Sequence, residues 1–462
     1  MSRVDHATLA GKFLAAEANA EFHDRRLWEL RQKRDQQMAM IPEWQDLRDH
    51  ASAVKEHTLS HLDRYLEEFE ANATKNGATV HWARDAAEHN EIVHRLLSAR
   101  NVRTLVKSKS MLTEECDMRP YLEARGIKVI ETDLGERIQQ LDDEPPSHIV
   151  IPAVHKLRGD VSKVFARTIG SEPGNDDIHY LAKHQRDDTR PYFLDAEAGM
   201  TGGNFIVAET GAVVTVTNEG NADLSANVPK LYIASVGIEK LVPRLADLAI
   251  FIRLLSRSAI GSPISQYTSH FRKPREGGEM HIVLVDNGRS ARLGMADFWT
   301  SLKCIRCGAC MNTCPVYRRS GGLSYQAVYA GPIGAIIDPT FNLKKYSELP
   351  FASTMNGSCT DVCPVKINIH EQIYAWRRVI AEQRQLPFVK REAMRIAGRI
   401  FASPKLYRLA LKLTRLASNG LPRFAIYTML NPWGHHREVP TPPIQTFNAW
   451  YRANRKAGHE QP

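Results

Sequence analysis

The run "CIRCGACMNTCPV" at residues 304–316 places four cysteines at the spacing C-x2-C-x2-C-x3-C, directly followed by proline. Three thiolates with two residues between each pair can wrap one iron–sulfur cubane. The fourth, set apart by a longer gap and followed by a stiff proline, is directed elsewhere. Zinc is the alternative metal, but it usually takes two separated C-x2-C pairs rather than four close cysteines. The run therefore predicts a 4Fe–4S site of the bacterial ferredoxin type.

A depleted copy of this run lies at residues 351–365, "FASTMNGSCTDVCPV". The two copies align without a gap and pair the following positions: Cys304 with Ser353, Cys307 with Asn356, Cys310 with Cys359, and Cys314 with Cys363. The repeat is the pseudo-twofold unit of a two-cluster ferredoxin in which two of the eight ligand positions have changed.

The crossed ligation of two-cluster ferredoxins, in which the fourth cysteine of each run binds the other cluster, predicts the ligands. The first cluster receives a complete thiolate set: Cys304, Cys307, Cys310 and Cys363. The second site keeps Cys314 and Cys359, with Asn356 and Ser353 at the substituted positions. Because an amide and a hydroxyl replace soft thiolates, the second cluster is labile, is completed by a group such as Asp361, or is absent. The sequence leaves these alternatives open.

The composition is that of a globular chain with room for roughly two to four domains, since 43% of its 462 residues are hydrophobic. It has no uncharged apolar run of about eighteen residues or more, and its N-terminus has no apolar signal region. We therefore expect a cytoplasmic protein. In a reducing compartment, six cysteines within sixty residues indicate metal rather than disulfides. We interpret the seventh, Cys116, as an ordinary buried thiol.

The pattern along the chain predicts four regions: an N-terminal helical segment at 1–75, an α/β domain at 76–295, a 4Fe–4S domain at 296–380, and a basic region at 381–462 that is helical and then proline-rich. Strand-like and helical stretches alternate from 76 to 133, which predicts a parallel sheet covered by helices. Asp85 is the expected N-cap of one of these helices, with Glu88 completing a capping-box pattern.

The α/β domain offers a few candidate ligand-binding residues. "FIVA" and "AVVTVT" predict a strand, a tight turn and a strand, and "KLYIASVGIEKLV" predicts a strand entering a helix. Gly202 and Gly203 would let the backbone approach a ligand, or they form a tight connection. Lys107 and Lys109 lie where open α/β sheets bind ligands, or they are solvated strand ends; Glu209 is a polar candidate or a turn carboxylate.

The formal net charge of +9 comes from the tail, because residues 371–462 hold 16 Lys and Arg against 5 Asp and Glu. Cations recur among apolar residues at helical spacing in the stretch 391–427: Arg395, Arg399, Arg408, Lys412 and Arg415. This pattern predicts an amphipathic helix that docks on a partner subunit or lies on a membrane surface. No motif accompanies the charge that would indicate nucleic acid.

Several stretches together resemble a known family. "VKSKSMLTEE", "NFIVAETGAVVTVTNEGNADL" and "LYIASVGIEKLVP" resemble the LUD domain. The cysteine block and "NPWGHHREVPTPPIQTFNAWYR" resemble the iron–sulfur subunit of the three-protein lactate-utilization (Lut) system. The resemblance implies a NagB/RpiA/CoA-transferase-like α/β fold with a mainly parallel sheet, N-terminal helices, an α-helical ferredoxin-type domain and a basic helical tail. One departure is that the wider family carries cysteine where this chain has Asn356.

The resemblance also implies a function: electron transfer through 4Fe–4S clusters during NAD-independent oxidation of L-lactate to pyruvate. It implies two partners, a cysteine-rich protein and a second LUD protein. No complete flavin or nicotinamide motif and no catalytic residue is indicated, so we expect a subunit of an oxidoreductase complex rather than a stand-alone enzyme. The alternatives are a LUD-domain enzyme acting on a small molecule or acyl group, and a cluster-stabilised scaffold or regulator.

Overall fold

The structure is a computed structural model that describes residues 3–420, 443 and 445–455. The chain folds into two compact units, Met1–Gln385 and Leu386–Pro462. The first unit opens with helices, as the spacing of apolar residues predicts: α1 His6–Ala15, α2 Glu17–Ala39, α3 Trp44–Ser60 and α4 Leu62–Lys75.

The centre of the first unit is an α/β fold. Its strands are β1 Thr79–Ala83, β2 Thr104–Lys107, β3 Lys128–Glu131, β4 Ala198–Gly202, β5 Phe205–Val207, β6 Ala212–Thr217, β7 Leu231–Gly237, β8 Leu241–Val242, β9 Tyr267–Phe271 and β10 Glu279–Val285. Its helices are α5 Ala86–Ser98, α6 Met111–Glu115, α7 Met118–Glu123, α8 Leu134–Leu141, α9 Arg158–Thr168, α10 Ile178–Asp195, α11 Asn221–Asn227, α12 Leu245–Ile260 and α13 Arg289–Leu293.

Six strands of the described chain form one sheet in the order β1-β10-β7-β4-β2-β3, and every neighbouring pair is parallel. This confirms the expected parallel sheet. A second sheet, β8-β5-β6-β9, contains the predicted hairpin, in which Ile206 pairs with Val213 across antiparallel strands. The second sheet, and with it the hairpin, packs against one face of the parallel sheet.

Both faces of the parallel sheet are buried at its central strands: β7 is buried along its whole length, and β10 is buried after its first residue, whereas the edge strand β1 is partly exposed. Alternate residues such as Ile233 and Val283 pack with α5, α6 and α7, in a core that also holds Cys116 at 2% exposure. Their neighbours, such as Ala234 and Ile282, pack with α4 and the second sheet. The interpretation of Cys116 as a buried thiol is confirmed, and burial raises the pKa of this thiol to about 12.

Two local expectations need correction. The predicted helix directly after β7 is wrong: a 3-10 turn at Ile238–Lys240 and the short strand β8 follow, and α12 begins at Leu245, because Pro243 disfavours helical backbone in the residue before it. Asp85 does cap α5, accepting from the Glu88 N–H at 2.9 Å, but Glu88 accepts from the Arg84 N–H rather than from that of Asp85.

The cysteine region is built of short helices: α14 Ala309–Thr313, α15 Pro315–Ser320, α16 Gly331–Phe341, α17 Leu343–Tyr346, α18 Ser358–Asp361 and α19 Ile369–Glu382. It packs on the N-terminal helices, with α2 against α14 and α15. Its fold is that of the α-helical domain expected from the sequence. The boundaries predicted between the four regions remain predictions.

The second unit contains α20 Phe388–Ala402, α21 Pro404–Gly420 and α22 Phe447–Arg455. Large apolar side chains such as Phe401, Leu413 and Leu416 are exposed on α20 and α21. The helical prediction for the stretch 391–427 is confirmed up to residue 420, while residues 421–427 and most of the proline-rich stretch lie outside the described residues. None of the described helices is long and apolar enough to cross a bilayer.

Candidate metal centre and adjoining cavity

The structure brings the four thiols predicted for the first cluster around one small cavity. It is lined by Cys304, Cys307, Cys310 and Cys363, together with buried aliphatic side chains that include Ile149, Ile333 and Ile367. Within the described residues, no three His, Cys, Asp or Glu side chains are close enough together to hold a single metal ion. A cubane needs wider spacing, since each thiolate binds a different iron, so the donor set fits a 4Fe–4S cluster.

Backbone N–H groups point at the sulfur atoms of this set. The Arg306 N–H donates to Cys304 Sγ at 3.4 Å, and the Ile367 N–H donates to Cys363 Sγ at 3.3 Å. Burial raises the pKa of Cys307 to about 12 and of Cys363 to about 11, so a bound cluster must displace protons from these thiols. The N–H donors stabilise the negative sulfur that results, and such bonds tune a cluster's reduction potential.

The backbone repeats itself in the depleted second run. Arg306 and its counterpart Met355 both have φ +59°, and Gly308 and Gly357 have φ +75° and +78°. In each run a short helix follows directly, α14 in the first and α18 in the second. The second run therefore keeps the loop conformation of a cluster-binding run although two of its cysteine positions have changed.

The substituted residues take over hydrogen-bond roles within that loop. Ser353 Oγ accepts from the Met355 N–H at 3.1 Å, the position equivalent to the Arg306 N–H bond to Cys304. Asn356, which is exposed, accepts from the Ser358 N–H at 3.2 Å through its side-chain oxygen. Cys314 and Cys359 are buried, at 8% and 7% exposure. The Met355 and Ser358 N–H groups of this loop therefore have side-chain acceptors within the loop itself. Whether a second cluster forms remains a prediction.

Arginines from the N-terminal helices hold the second run in place. Arg48 of α3 is 7% exposed and donates from Nε and Nη2 to the Cys363 carbonyl at 3.1 and 2.8 Å. Arg34 of α2 donates to the Val362 carbonyl at 2.9 Å. Several charge-assisted bonds to one short loop restrict it strongly. Thus helices far away in sequence help to carry Cys363 to the other three thiols.

A larger cavity of about 250 Å³ lies at the carboxyl edge of the parallel sheet, where open α/β sheets bind ligands. The loops that follow the strands supply much of its lining: Ser108, Lys109, Asp133, Gly202, Gly203, Gly237, Glu239, Lys240 and Arg289. Thr215 and Ser256 line it from β6 and α12, and Arg306 and Tyr329 line it from the cysteine region.

The structure separates the candidate ligand-binding residues. Lys109, Gly202 and Gly203 line the cavity, whereas Lys107 and Glu209 do not contribute to its lining. The two glycines also have tight protein neighbours: a Cβ on Gly202 would lie 2.8 Å from Ser110 Oγ, and one on Gly203 would lie 2.8 Å from Val236 Cγ2.

Lys107 is fully buried among carboxylates, with Nζ 2.9 Å from Glu131 and 3.7 Å from Glu136. Burial by itself lowers the pKa of Lys107, but these carboxylates outweigh it and raise the pKa. Glu209 accepts from the Leu245 N–H at 2.8 Å and so caps α12. Both side chains are engaged in structural contacts in the folded chain.

A buried charge network that contributes Glu239, Lys240 and Arg289 to the cavity lining was not identified from the sequence. Arg289 binds Glu115 through both terminal nitrogens, at 2.8 and 3.0 Å, and it also pairs with Glu239. Burial raises the pKa of Glu239, but Arg289 and its other cationic neighbours outweigh that effect and hold the pKa well below its usual range. Burial lowers the pKa of Lys240 to about 8. The sequence feature that could have indicated this network is the charged pair Glu239-Lys240 between two apolar stretches.

The two cavities share a wall. Ile149 and Arg306 line both the cavity of the four thiols and the cavity at the sheet edge. Arg306 lies between Cys304 and Cys307 in sequence, and its left-handed backbone is unusual for a residue with a side chain. Its guanidinium stacks over the Tyr329 ring at 4.3 Å. The cysteine run thus contributes a cation to the cavity of the α/β domain.

Comparisons with known proteins agree with this arrangement. Family models match the LUD domain at residues 66–290, a 4Fe-4S dicluster domain at 300–367, and the C-terminal region of lactate utilisation protein B at 377–456. The chain is 42% identical over 429 residues to "Lactate utilization protein B" of Geobacillus thermodenitrificans, and 41% identical to proteins of the same name from Geobacillus kaustophilus and Shouchella clausii. In each case the alignment covers 90% of both chains.

The fold and the thiol site together define an iron–sulfur protein built on a LUD-type α/β domain. The chain belongs to the lactate utilization protein B family, which confirms the resemblance seen in the sequence. The dicluster match supports an iron–sulfur cluster in the cysteine region. Among solved structures, a DUF162 family protein from Deinococcus radiodurans aligns with a TM-score of 0.28 and 13% identity, over 48% of this chain and 98% of that one.

Proposed function

We propose that this chain acts in lactate utilization as the iron–sulfur electron-transfer subunit of a complex that oxidises L-lactate to pyruvate without NAD. The observation that carries the proposal is the placement of four thiols around one apolar cavity, directly beside the cavity of the α/β domain. The names of the relatives supply the metabolic context.

Each residue of the thiol site has a distinct task in this proposal. Cys304, Cys307, Cys310 and Cys363 hold a 4Fe–4S cluster, which supplies one-electron chemistry when bound. Arg48 orients the loop of Cys363 through its carbonyl. The aliphatic lining excludes water from the sulfur atoms, and this burial helps to set the reduction potential.

The complex that we propose contains two partners, a cysteine-rich protein and a second LUD protein. The apolar side chains exposed on α20 and α21 support a docking role for the second unit, since contiguous exposed apolar surface marks interaction sites. Contact of the same basic helices with a membrane surface is the alternative.

The geometry gives less support to a LUD-domain enzyme acting alone. Lys109, the candidate lysine in the cavity, donates to the Val150 carbonyl at 2.8 Å and pairs with Asp133 at 3.4 Å. Burial lowers the pKa of Lys109, but Asp133 outweighs it and raises the pKa, so this amine stays protonated and is a poor nucleophile. The proposed role of the thiol site, by contrast, does not depend on Lys109 acting as a nucleophile.

Anaerobic reduction of the cluster by L-lactate tests the proposal. The purified chain, mixed with its two partners, should show bleaching of cluster absorbance and a reduced-cluster EPR signal when L-lactate is added. The chain alone should show neither, nor should it reduce an artificial dye. Lactate:dye activity from the isolated chain, or an unreduced cluster in the presence of both partners, would contradict the proposal.

A further inference from the structure

The cavity at the sheet edge contains buried polar atoms that have no hydrogen-bond partner among the described residues. Arg306 Nη1 is one, and its Nη2 is 3.7 Å from Glu239 Oε1, beyond hydrogen-bond length. Four further lining residues, each more than nine-tenths buried, leave such an atom: Thr215 Oγ1, Asn221 Oδ1, Glu239 Oε1 and Ser256 Oγ. Buried polar groups are nearly always hydrogen-bonded, so this lining is suited to a polar ligand.

The charged residues of the lining favour an anion, because four cations face three carboxylates: Lys109, Lys240, Arg289 and Arg306 against Asp133, Glu219 and Glu239. Three lining cations already have protein partners, as follows: Arg289 with Glu115 and Glu239, Lys109 with Asp133, and Lys240 with the Cys304 carbonyl at 3.2 Å. Arg306 retains an unused donor nitrogen in a buried setting. A guanidinium favours a planar oxyanion, and a carboxylate matches its fork of donors.

We infer that this cavity binds a small monocarboxylate carrying a 2-hydroxy or 2-oxo group, with its carboxylate on Arg306. A volume of about 250 Å³ holds a metabolite of a few carbons but is small for a nucleotide or a coenzyme. The hydroxyls of Thr215 and Ser256 and the Asn221 amide suit the second oxygen, because they can donate to it or accept from it. The choice of acid rests on the proposed function, whereas binding itself requires no electron transfer.

The position of Arg306 links this ligand to the thiol site. Its backbone N–H donates to Cys304 Sγ at 3.4 Å while its side chain lines both cavities. A carboxylate on the guanidinium adds negative charge at the wall of the cluster cavity. Because negative charge nearby opposes reduction, binding should move the reduction potential of the cluster in the negative direction.

Calorimetry on the anaerobically purified full chain, without partners, tests the inference. L-lactate and pyruvate are titrated in turn, with inorganic phosphate as the comparison anion. Arg306→Gln should weaken binding by roughly ten- to a hundredfold, the range for a hydrogen bond to a charged group. Ser256 lies on α12 and is not part of the cysteine run, so Ser256→Ala should weaken binding without loss of iron. Arg84→Gln, with a side chain that is 87% exposed, is the matched control and should bind as wild type does.

The outcomes separate the inference from the proposed function. No heat with either acid, equal affinity for phosphate, or unchanged binding in both Arg306→Gln and Ser256→Ala would overturn the inference, even if lactate reduces the cluster in the complex. Binding that these variants weaken, together with a negative shift of the potential, supports it even if the complex does not oxidise lactate. A potential unmoved by saturating ligand would overturn the placement on Arg306.

Discussion

Cys307 contributes one of four thiolates to the first site, and its replacement tests the ligand assignment at the scale of a single residue. In Cys307→Ser, a hard hydroxyl replaces a soft thiolate, so most of the cluster absorbance should be lost. Cys116→Ala is the matched control, because that thiol is buried in the core of the α/β domain. Iron per chain and the visible spectrum after anaerobic purification are the measurements. A colourless wild-type protein containing stoichiometric zinc would contradict the assignment.

Asn356 and Ser353 decide the iron content expected of the whole chain. Because both satisfy N–H groups of their own loop, the second site does not need a cluster to hold its conformation. The protein as isolated should therefore contain about four irons rather than about eight, given one cubane per complete thiolate set. Iron analysis combined with EPR measures this.

Variants in the two cysteine runs test the predicted iron content per chain further. Asn356→Cys restores a third thiolate to the second site and should raise the iron content. Cys314→Ser and Cys359→Ser should change it little, whereas Cys363→Ser should damage the first cluster. Wild type with nearly eight irons in two magnetically coupled clusters would show that the second site has a further ligand.

At the scale of elements, the hairpin of β5 and β6 packs against the end of α4, and Gly211 makes the close contact. This glycine has φ +63°, and an added Cβ would lie 2.6 Å from the Asn72 carbonyl carbon. Gly211→Ala should lower the free energy of unfolding by about 1–2 kcal/mol from backbone strain. Overpacking against α4 should add roughly 1–3 kcal/mol.

Gly126→Ala separates the two effects. Gly126 has φ +79°, but nothing lies within 4 Å of its added Cβ, so this variant should show the backbone strain alone. Chemical denaturation followed by circular dichroism compares the two variants with wild type. Equal losses of stability would mean that α4 moves aside without cost.

The contact between α5 and β7 should make the α/β domain sensitive to acid. His89 Nε2 lies 2.8 Å from Ser235 Oγ, and burial lowers the pKa of His89 from 6.5 to about 4. Between these two values the unfolded chain binds the proton more readily, so the free energy of unfolding falls as the pH falls. From pH 6.5 to pH 4.5 this one group should remove about 2 kcal/mol.

His89→Gln removes this titration while keeping a polar side chain at the position. Between pH 6.5 and pH 4.5, its free energy of unfolding should fall by about 2 kcal/mol less than that of wild type. Denaturant titrations at both pH values measure the difference. Parallel losses in the two proteins would show that His89 is not held neutral in the folded state.

At the scale of the whole molecule, the chain divides after Gln385, and we expect cluster binding on one side of this division and partner docking on the other. The first unit contains all four thiols of the first site and both cavities, so a chain truncated after Gln385 should retain its iron. Without α20, α21 and α22 it should bind the partner proteins weakly. Iron analysis and analytical size exclusion with the partners give the two readouts.

The full chain is the control for the truncation, and anionic vesicles test the alternative role of the tail. Unchanged assembly of the truncated chain with its partners would contradict docking through the second unit. Binding of the full but not the truncated chain to vesicles, with assembly unaffected, would favour the membrane interpretation.

The sequence alone determined the features that depend on local spacing. Helical periodicity predicted α1 to α5, and alternating strand and helix patterns predicted the parallel sheet. The alignment of the two cysteine runs selected the four thiols that the structure places around one cavity. These predictions succeed because ligand spacing within each run and the periodicity of helices and strands are patterns of residues close together in sequence.

Only the tertiary structure decided which polar residues share a site. Lys107 and Lys109 are two residues apart, yet the first is enclosed by carboxylates and the second lines the cavity. Two such residues would lie on the same face of a regular strand, but β2 ends at Lys107 and Lys109 belongs to the loop that follows. Arg306 joins that cavity from a cysteine run about a hundred residues beyond Gly202. Burial, pairing and contact between distant segments set the roles of such charges, and sequence patterns do not encode these quantities locally.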